Sequence, residues 1–213
     1  MGKCVALAGA TGLVGREILK GLVADPGIAT IHILARRAVE ASPKVVLHVV
    51  DFRSLPALPA IDEVYLALGT TIKVAGSQEA FRAVDFDANL AVARAAIAAG
   101  AKRAGLVSAM GASVKSGLFY SRVKGELEDE LAKLPFQRLV IARPSMLAGD
   151  RGRLGQPERR GEKIALVVSR VLGPLIPRNY RSVAAADVAR ALLTRVPESS
   201  GREIVLSGAM HRN

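Results

Sequence analysis

Residues 3–24 read Lys3-Cys4-Val5-Ala6-Leu7-Ala8-Gly9-Ala10-Thr11-Gly12-Leu13-Val14-Gly15-Arg16-Glu17-Ile18-Leu19-Lys20-Gly21-Leu22-Val23-Ala24. The apolar run Lys3–Ala8 reads as a strand. Leu13–Ala24 reads as an amphipathic helix, with Leu13, Ile18, Leu19 and Leu22 on or near one face. Between them stand three glycines three residues apart. The first permits a tight turn, the second lets backbone approach a pyrophosphate, and the third lets helix pack on strand. The helix N-terminus then offers N–H groups and a positive dipole to phosphate oxygens. Gly9, Ala10, Thr11, Gly12, Leu13, Val14 and Gly15 therefore form a candidate dinucleotide-binding loop.

Working outward, strand-like and helix-like segments alternate. Thr30–Ala35, Lys44–Val50, Asp62–Leu68, Arg103–Ser108 and Phe136–Ala142 read as strands. A long Ala-rich helix is expected from about Ser77 to Ala99, ending at Gly100. A charged helix spans Tyr120–Leu134 and is stopped by Pro135. Beyond Pro144, residues 149–161 read as a Gly-, Arg- and Pro-rich loop. Helices follow near Glu162–Leu172 and Ala185–Val196, and Glu203–Leu206 is a candidate last strand. This alternation predicts a Rossmann-type α/β fold: a doubly wound parallel sheet with helices on both faces. We expect one domain over 1–213, with a cofactor-binding core at 1–143 and a small C-terminal substrate or partner region at 144–185. Ligands in such sheets sit at the carboxyl ends of the strands.

The bulk composition fits. Half of the 213 residues are apolar, Trp is absent and the formal charge is +11. The core must be built from Ala, Val, Leu and Ile, which suits helices packed closely on a parallel sheet. The one cysteine, Cys4, precludes an internal disulfide and, with no secretion signal, points to a cytoplasmic protein. The most apolar stretch, 164–177, carries Arg170 and a Gly-Pro break and is too short to span a membrane. The densest basic stretch, Arg151, Arg153, Arg159, Arg160 and Lys163, is interrupted by Glu158 and Glu162 and reads as a solvated loop. Nucleic-acid binding rests on net charge alone. His32, His48 and His211 have no metal-ligand spacing, so no metal site is expected.

Cofactor choice is read at the end of the second strand. A site for NAD places an acid there, on the ribose hydroxyls. This chain has Arg36 and Arg37. Guanidinium groups suit a 2′-phosphate, each charge-assisted hydrogen bond contributing roughly 1.5–3 kcal/mol. The expected cofactor is NADP(H). Gly69, after the fourth strand, lets backbone approach the same ligand, and Thr70 and Thr71 add hydroxyls. Pro144, just beyond the sixth strand, joins this candidate set.

Tyr120-Ser121-Arg122-Val123-Lys124 places a phenol and an ammonium one helical turn apart. An ammonium beside a tyrosine favours the phenolate, so Tyr120 can exchange the proton of a carbonyl/alcohol pair, with Lys124 tuning it and also holding the cofactor ribose. Ser108, twelve residues earlier, ends a strand and is a candidate to orient the substrate oxygen.

The segments GATGLVG, LARR, LGTT, YSRVKGELE, ARPSMLAGDR and the stretch Val107–Ala112 together resemble the atypical short-chain dehydrogenase/reductase superfamily, closest to its Tat-interacting-protein branch. Asp187-Val188-Ala189 resembles the late helix of that family. The resemblance implies NADP(H) binding and, in active members, hydride transfer to or from a small molecule. It further implies that Asp51 contacts adenine and that Asn89 lies near the fourth member of the active-site tetrad. Relatives often carry a second serine where this chain has Ala109, and some bind cofactor without turnover as regulators of a protein partner. Two functions are carried forward: an NADP(H)-dependent reductase of a small carbonyl compound, and an NADPH-binding sensor.

Overall fold

A computed structural model describes residues 2–37, 43–148, 177–198 and 200–211. The strands β1 (Lys3–Ala8), β2 (Ile28–Ala35), β3 (Val45–Val49), β4 (Glu63–Leu66), β5 (Arg103–Val107) and β6 (Arg138–Arg143) are joined in one sheet by the late strand Gly201–Leu206. Between β6 and that strand lie two further two-residue strands, β7 (Leu147–Ala148) and β8 (Val183–Ala184), so the late strand is β9. The sheet order is β3-β2-β1-β4-β5-β6-β9, with every neighbour parallel. β7 and β8 pair separately. The Rossmann expectation holds, and the last strand is two residues longer at its start than the sequence pattern indicated.

Side-chain alternation divides the core in two. Val5 and Leu7 of β1, with Ile31 and Ile33 of β2, pack against Val14, Ile18 and Leu22 of α1 (Leu13–Ala24). Val188 and Leu192 of a late helix, Ala185–Arg195, belong to the same cluster. Ala6 and Ala8 face the other way, toward Leu90, Ala93 and Ala96 of the Ala-rich helix and Leu127 and Leu131 of the charged one. Small residues on β1 let helix and sheet approach closely on that side.

The Ala-rich helix runs from its N-cap Ser77 to its C-cap Ala99 as expected, but its pitch changes on the way. A short helix, α2 (Ile72–Ala75), precedes α3 (Gln78–Arg82). Residues Ala83–Ala88 then wind as a π-helix, and α4 (Asn89–Ala98) resumes the ordinary pitch. A π-turn adds one residue and so shifts the register of the helix faces, a change that composition alone does not reveal. The charged helix is α5 (Phe119–Lys133), and the late helix is α6. The expected loop at 149–161 and helix at Glu162–Leu172 lie outside the described residues. Among the described residues, no helix is long and apolar enough to cross a membrane.

The chain runs outward from β1 to β3, then returns to place β4 on the other side of β1. The order reverses between β1 and β4, and the loops after these strands meet there. This is where an open parallel sheet offers a ligand crevice.

Candidate active site and cofactor cradle

The Gly9–Gly15 loop is shaped by two close approaches. Gly9 has φ +91°, and a Cβ there would lie 2.3 Å from the Ala67 carbonyl oxygen after β4. A Cβ on Gly15 would lie 1.9 Å from the Gly9 carbonyl oxygen. These two glycines are demanded by the fold. Gly12 is different: its Cβ would meet only that Gly9 oxygen, at 3.4 Å, an ordinary contact. Gly12 also stands at the N-cap of α1, where no side chain caps the helix and no acid occupies the first turn. The cradle therefore fits an anionic ligand approaching backbone at Gly12. Ala10 and Val14 are buried behind the loop, Leu13 packs partly against the core and Thr11 is exposed.

Arg36 and Arg37 follow β2 directly and are both exposed, at the carboxyl edge of the sheet. Asp51, after β3, is tied to the Arg53 side chain 2.8 Å away, and this contact and its hydrogen bonds hold the carboxyl below the usual range. The adenine contact implied for Asp51 would have to share that carboxylate with Arg53.

The turn after β4 joins the cradle to α5. The backbone N–H of Thr70 donates to Asp85 Oδ2 at 2.8 Å. The other carboxylate oxygen of Asp85 lies 2.8 Å from Lys124 Nζ, with both side chains at most 5% exposed. Gly69 sits over this pair: a Cβ there would come within 3.5 Å of Asp85 Oδ1 and 3.9 Å of Lys124 Nζ. Thr71 caps α2 by accepting from the Val74 N–H. Burial pushes the Asp85 carboxyl up despite the Lys124 charge beside it. Burial opposes the ammonium on Lys124, but Asp85, Tyr120 and Glu128 outweigh it, and Lys124 is held above its ordinary value. Lys124 thus stays charged at the bottom of the site.

Asp85 and Asn89 lie on either side of the π-turn's end. Asn89 is fully buried, and its Nδ2 donates to the carbonyls of Leu68, Val84 and Asp85 at 3.1–3.3 Å. The wider pitch frees carbonyls that an α-helix would engage, and Asn89 takes them up while binding the end of β4. Sequence reading did not find Asp85. The signal available was a carboxylate four residues before an asparagine, on the helix face that also carries Phe81.

Tyr120 opens α5 one turn before Lys124 and is 38% exposed. Its ring packs on Phe81, centroids 5.5 Å apart, which fixes it at the mouth. The loop leading to it, 109–118, rests on α5 at Gly125, where a Cβ would meet Ser113 backbone at 2.4 Å. Met110 N–H donates to the carbonyl of Pro144, which joins the ends of β5 and β6.

Ser108 does not join Tyr120 in an open site. It is buried, and its Oγ donates to Glu128 Oε1 at 2.5 Å, while Arg143 grips the same carboxylate with two nitrogens. Ser108 here locks α5 to β5 and β6, and a substrate-orienting role would require it to give up that bond. Ala109 beside it is buried. His32 and His48 meet across β2 and β3, Nδ1 to Nε2 at 3.0 Å. Among the described residues, no group of three possible metal ligands occurs.

No family model matches the chain. Among solved structures, a short chain dehydrogenase family protein from Francisella tularensis aligns over all of both chains with TM-score 0.66 and 11% identity. The Bordetella bronchiseptica enzyme WbmF, solved with NAD+, aligns over 97% of this chain and 73% of its own with TM-score 0.68 and 17% identity. The fold is thus that of the short-chain dehydrogenases/reductases. Curated relatives are nearer in sequence. The mitochondrial protein fmp52 of Emericella nidulans is 38% identical over 182 residues, 79% of this chain and 76% of that protein. FMP52 of Candida albicans, also named mitochondrial, is 40% identical over 154 residues, 68% of this chain and 67% of that protein. These names overturn the cytoplasmic expectation. It rested on a lone cysteine and a missing secretion signal, and neither separates one reducing compartment from another. At this identity over more than two thirds of its relatives' length, the chain belongs to the Fmp52 family.

Proposed function

We propose that this protein is an NADP(H)-dependent oxidoreductase that reduces a carbonyl compound at the mouth formed by β4, β5 and α5. The observation that carries this is the buried, charged Lys124, set one helical turn below an accessible Tyr120 and against the Gly69–Thr70 turn. NADPH, when bound, supplies the hydride that goes to the carbonyl carbon. Gly12 and the N-terminus of α1 would hold its pyrophosphate, and Arg36 and Arg37 would hold its 2′-phosphate. Lys124, beside Gly69, would hold its ribose. Tyr120 gives its phenolic proton to the carbonyl oxygen as the C=O electron pair is released, leaving an alcohol, and regains a proton from water. The Lys124 ammonium faces the negative charge that develops on Tyr120 during that transfer.

The likeness to the Tat-interacting-protein branch and the division into a core at 1–143 and a substrate region at 144–185 belong to this same reading. The names of its relatives point to a mitochondrial setting. A second reading, a sensor in which NADPH occupancy alters a surface for a protein partner, is favoured by Ala109 and by the Ser108 hydroxyl held on Glu128. Nucleic acid has no part in either reading.

The test is a screen of aldehydes and ketones for NADPH oxidation by purified protein, with NADPH binding measured in parallel. Stoichiometric formation of alcohol supports the reductase. NADPH binding with no oxidation across the panel overturns it in favour of the sensor.

A further inference from the structure

Exposed apolar side chains are not scattered over this molecule. Among the described residues, four of the large ones lie on the outermost strands: Val46 and Val49 of β3, Ile204 and Leu206 of β9. Apart from Tyr120 itself, the others are Ile72 and Val74 on the short helix α2, and Val114, Leu118, Met146 and Tyr180 on the connections that follow β5 and β6. Leu118 is 72% exposed, Tyr180 69% and Val74 60%. The chain ties these loops together. Phe81 of α3 packs against both Phe119 and Tyr120 of α5. Met110 N–H donates to Pro144 O, and Val183 N–H to Met146 O. Exposed apolar side chains gathered at one end of a sheet mark a surface with an occupant, whether a ligand, a protein or a membrane.

On four of the described loop stretches at this end the charges have one sign. The loop stretches 67–76, 108–118, 144–148 and 177–182 contain no Asp or Glu, yet they carry Lys73, Lys115, Arg178 and Arg181. Lys73 and Lys115 are exposed beside Val74 and Val114. The Asp85 carboxylate at this end is already paired with Lys124, so these described loops present an apolar, cationic face that attracts an anion with an apolar body.

We propose that the substrate is an amphiphile: a carbonyl compound with an apolar chain that lies on Leu118, Val114 and Val74 and with an anionic group, carboxylate or phosphate, that meets Lys115 and Lys73. This rests on the reductase reading and narrows its substrate. The carbonyl end reaches Tyr120, and the chain leaves along the 109–118 loop.

The experiment uses the full chain with saturating NADPH and ten-carbon aldehydes that end in a methyl, a carboxylate or a phosphate, beside three-carbon counterparts. The charged long chains should exceed both the uncharged long chain and the charged short one in kcat/KM by about tenfold or more. Which anion wins identifies the headgroup. Leu118→Asp should remove the chain-length preference, and the double variant Lys73→Glu/Lys115→Glu should remove the charge preference. Both should leave NADPH affinity unchanged. Equal kcat/KM across the series overturns the proposal while the reductase stands. If no aldehyde is reduced, calorimetry of NADP-loaded protein with decanoate, decyl phosphate and decanol separates the two claims. Saturable binding of the anions that is lost in the variants keeps the amphiphile site and overturns only the reductase. No binding overturns both. Capture by anionic phospholipid vesicles without a response to monomeric decyl phosphate, or self-association abolished by Leu118→Asp, overturns the proposal by giving the rim a different occupant.

Discussion

Lys124 Nζ lies 2.8 Å from Asp85 Oδ1 with both side chains almost wholly buried, and Asp85 in turn holds the Thr70 N–H of the β4 turn. Three segments distant in sequence meet at this one carboxylate. Removing one member of a buried ion pair leaves an uncompensated charge, at a cost of about 3–5 kcal/mol. Lys124→Met should therefore destabilise the protein by about that amount near neutral pH. The pH dependence has a definite sign. Burial already raises the Asp85 carboxyl, and loss of the ammonium raises it further. A carboxyl whose folded value is raised favours the native state at low pH and loses that contribution as pH rises through the folded value. The deficit of Lys124→Met against the wild type should shrink from about pH 7 to about pH 5, measured by urea denaturation. A deficit that does not change with pH would show that Asp85 does not carry the stranded charge.

The glycine loop separates fold from ligand. Gly15→Ala forces a Cβ to 1.9 Å from the Gly9 carbonyl, so helix α1 must shift and stability must fall. Gly12→Val meets nothing closer than 3.4 Å within the protein at its Cβ. It should melt within a few degrees of wild type yet fail to bind NADPH, because the branched side chain fills the pyrophosphate's approach. Calorimetry on a folded Gly12→Val protein that still takes up NADPH normally would move the dinucleotide elsewhere.

Arg36 and Arg37 should set cofactor preference. Each charge-assisted bond to a 2′-phosphate contributes roughly 1.5–3 kcal/mol, so NADPH should bind at least about tenfold more tightly than NADH. In Arg36→Ala/Arg37→Ala that margin should vanish with NADH affinity nearly unchanged. Equal affinities in the wild type would remove the arginines from the site.

His32 gives a second pH signature, at the β2–β3 edge. Burial, and then the charge of His48 3.0 Å away, hold His32 below the ordinary imidazole value. The unfolded chain takes up that proton more readily. The stabilising contribution is full above about pH 6.5 and is lost as pH falls through the lower folded value. Thermal stability should decline between about pH 7 and pH 5, and His32→Leu should flatten the decline. An unchanged slope in that variant would assign the acid sensitivity to other groups.

Much of the fold was legible because one periodicity governed each segment. β1 and α1 fall where their apolar patterns begin and end, and the glycines between them follow from the strand-to-helix turn. Local pattern was silent where tertiary contacts decide. The π-turn at Ala83–Ala88 keeps the same Ala-rich composition as an α-helix, and only the buried Asp85–Lys124 pair and the Asn89 side chain explain why the helix winds differently there. Ser108 looked like a site hydroxyl from its position at a strand end. What it faces is decided by Glu128 and Arg143, which lie twenty and thirty-five residues further along the chain.

The central claim is that Tyr120 supplies a proton and Lys124 supports it. The most direct measurement compares turnover and NADPH affinity in Tyr120→Phe, with a substrate taken from the carbonyl screen. Removing only the hydroxyl should leave NADPH affinity within a few-fold and the melting temperature nearly unchanged, because Tyr120 is partly exposed and its ring contact with Phe81 survives. Turnover should fall by roughly 10²–10⁴, the loss expected of a general acid. Full turnover by Tyr120→Phe at neutral pH would contradict the claim and assign the proton to another group or to water.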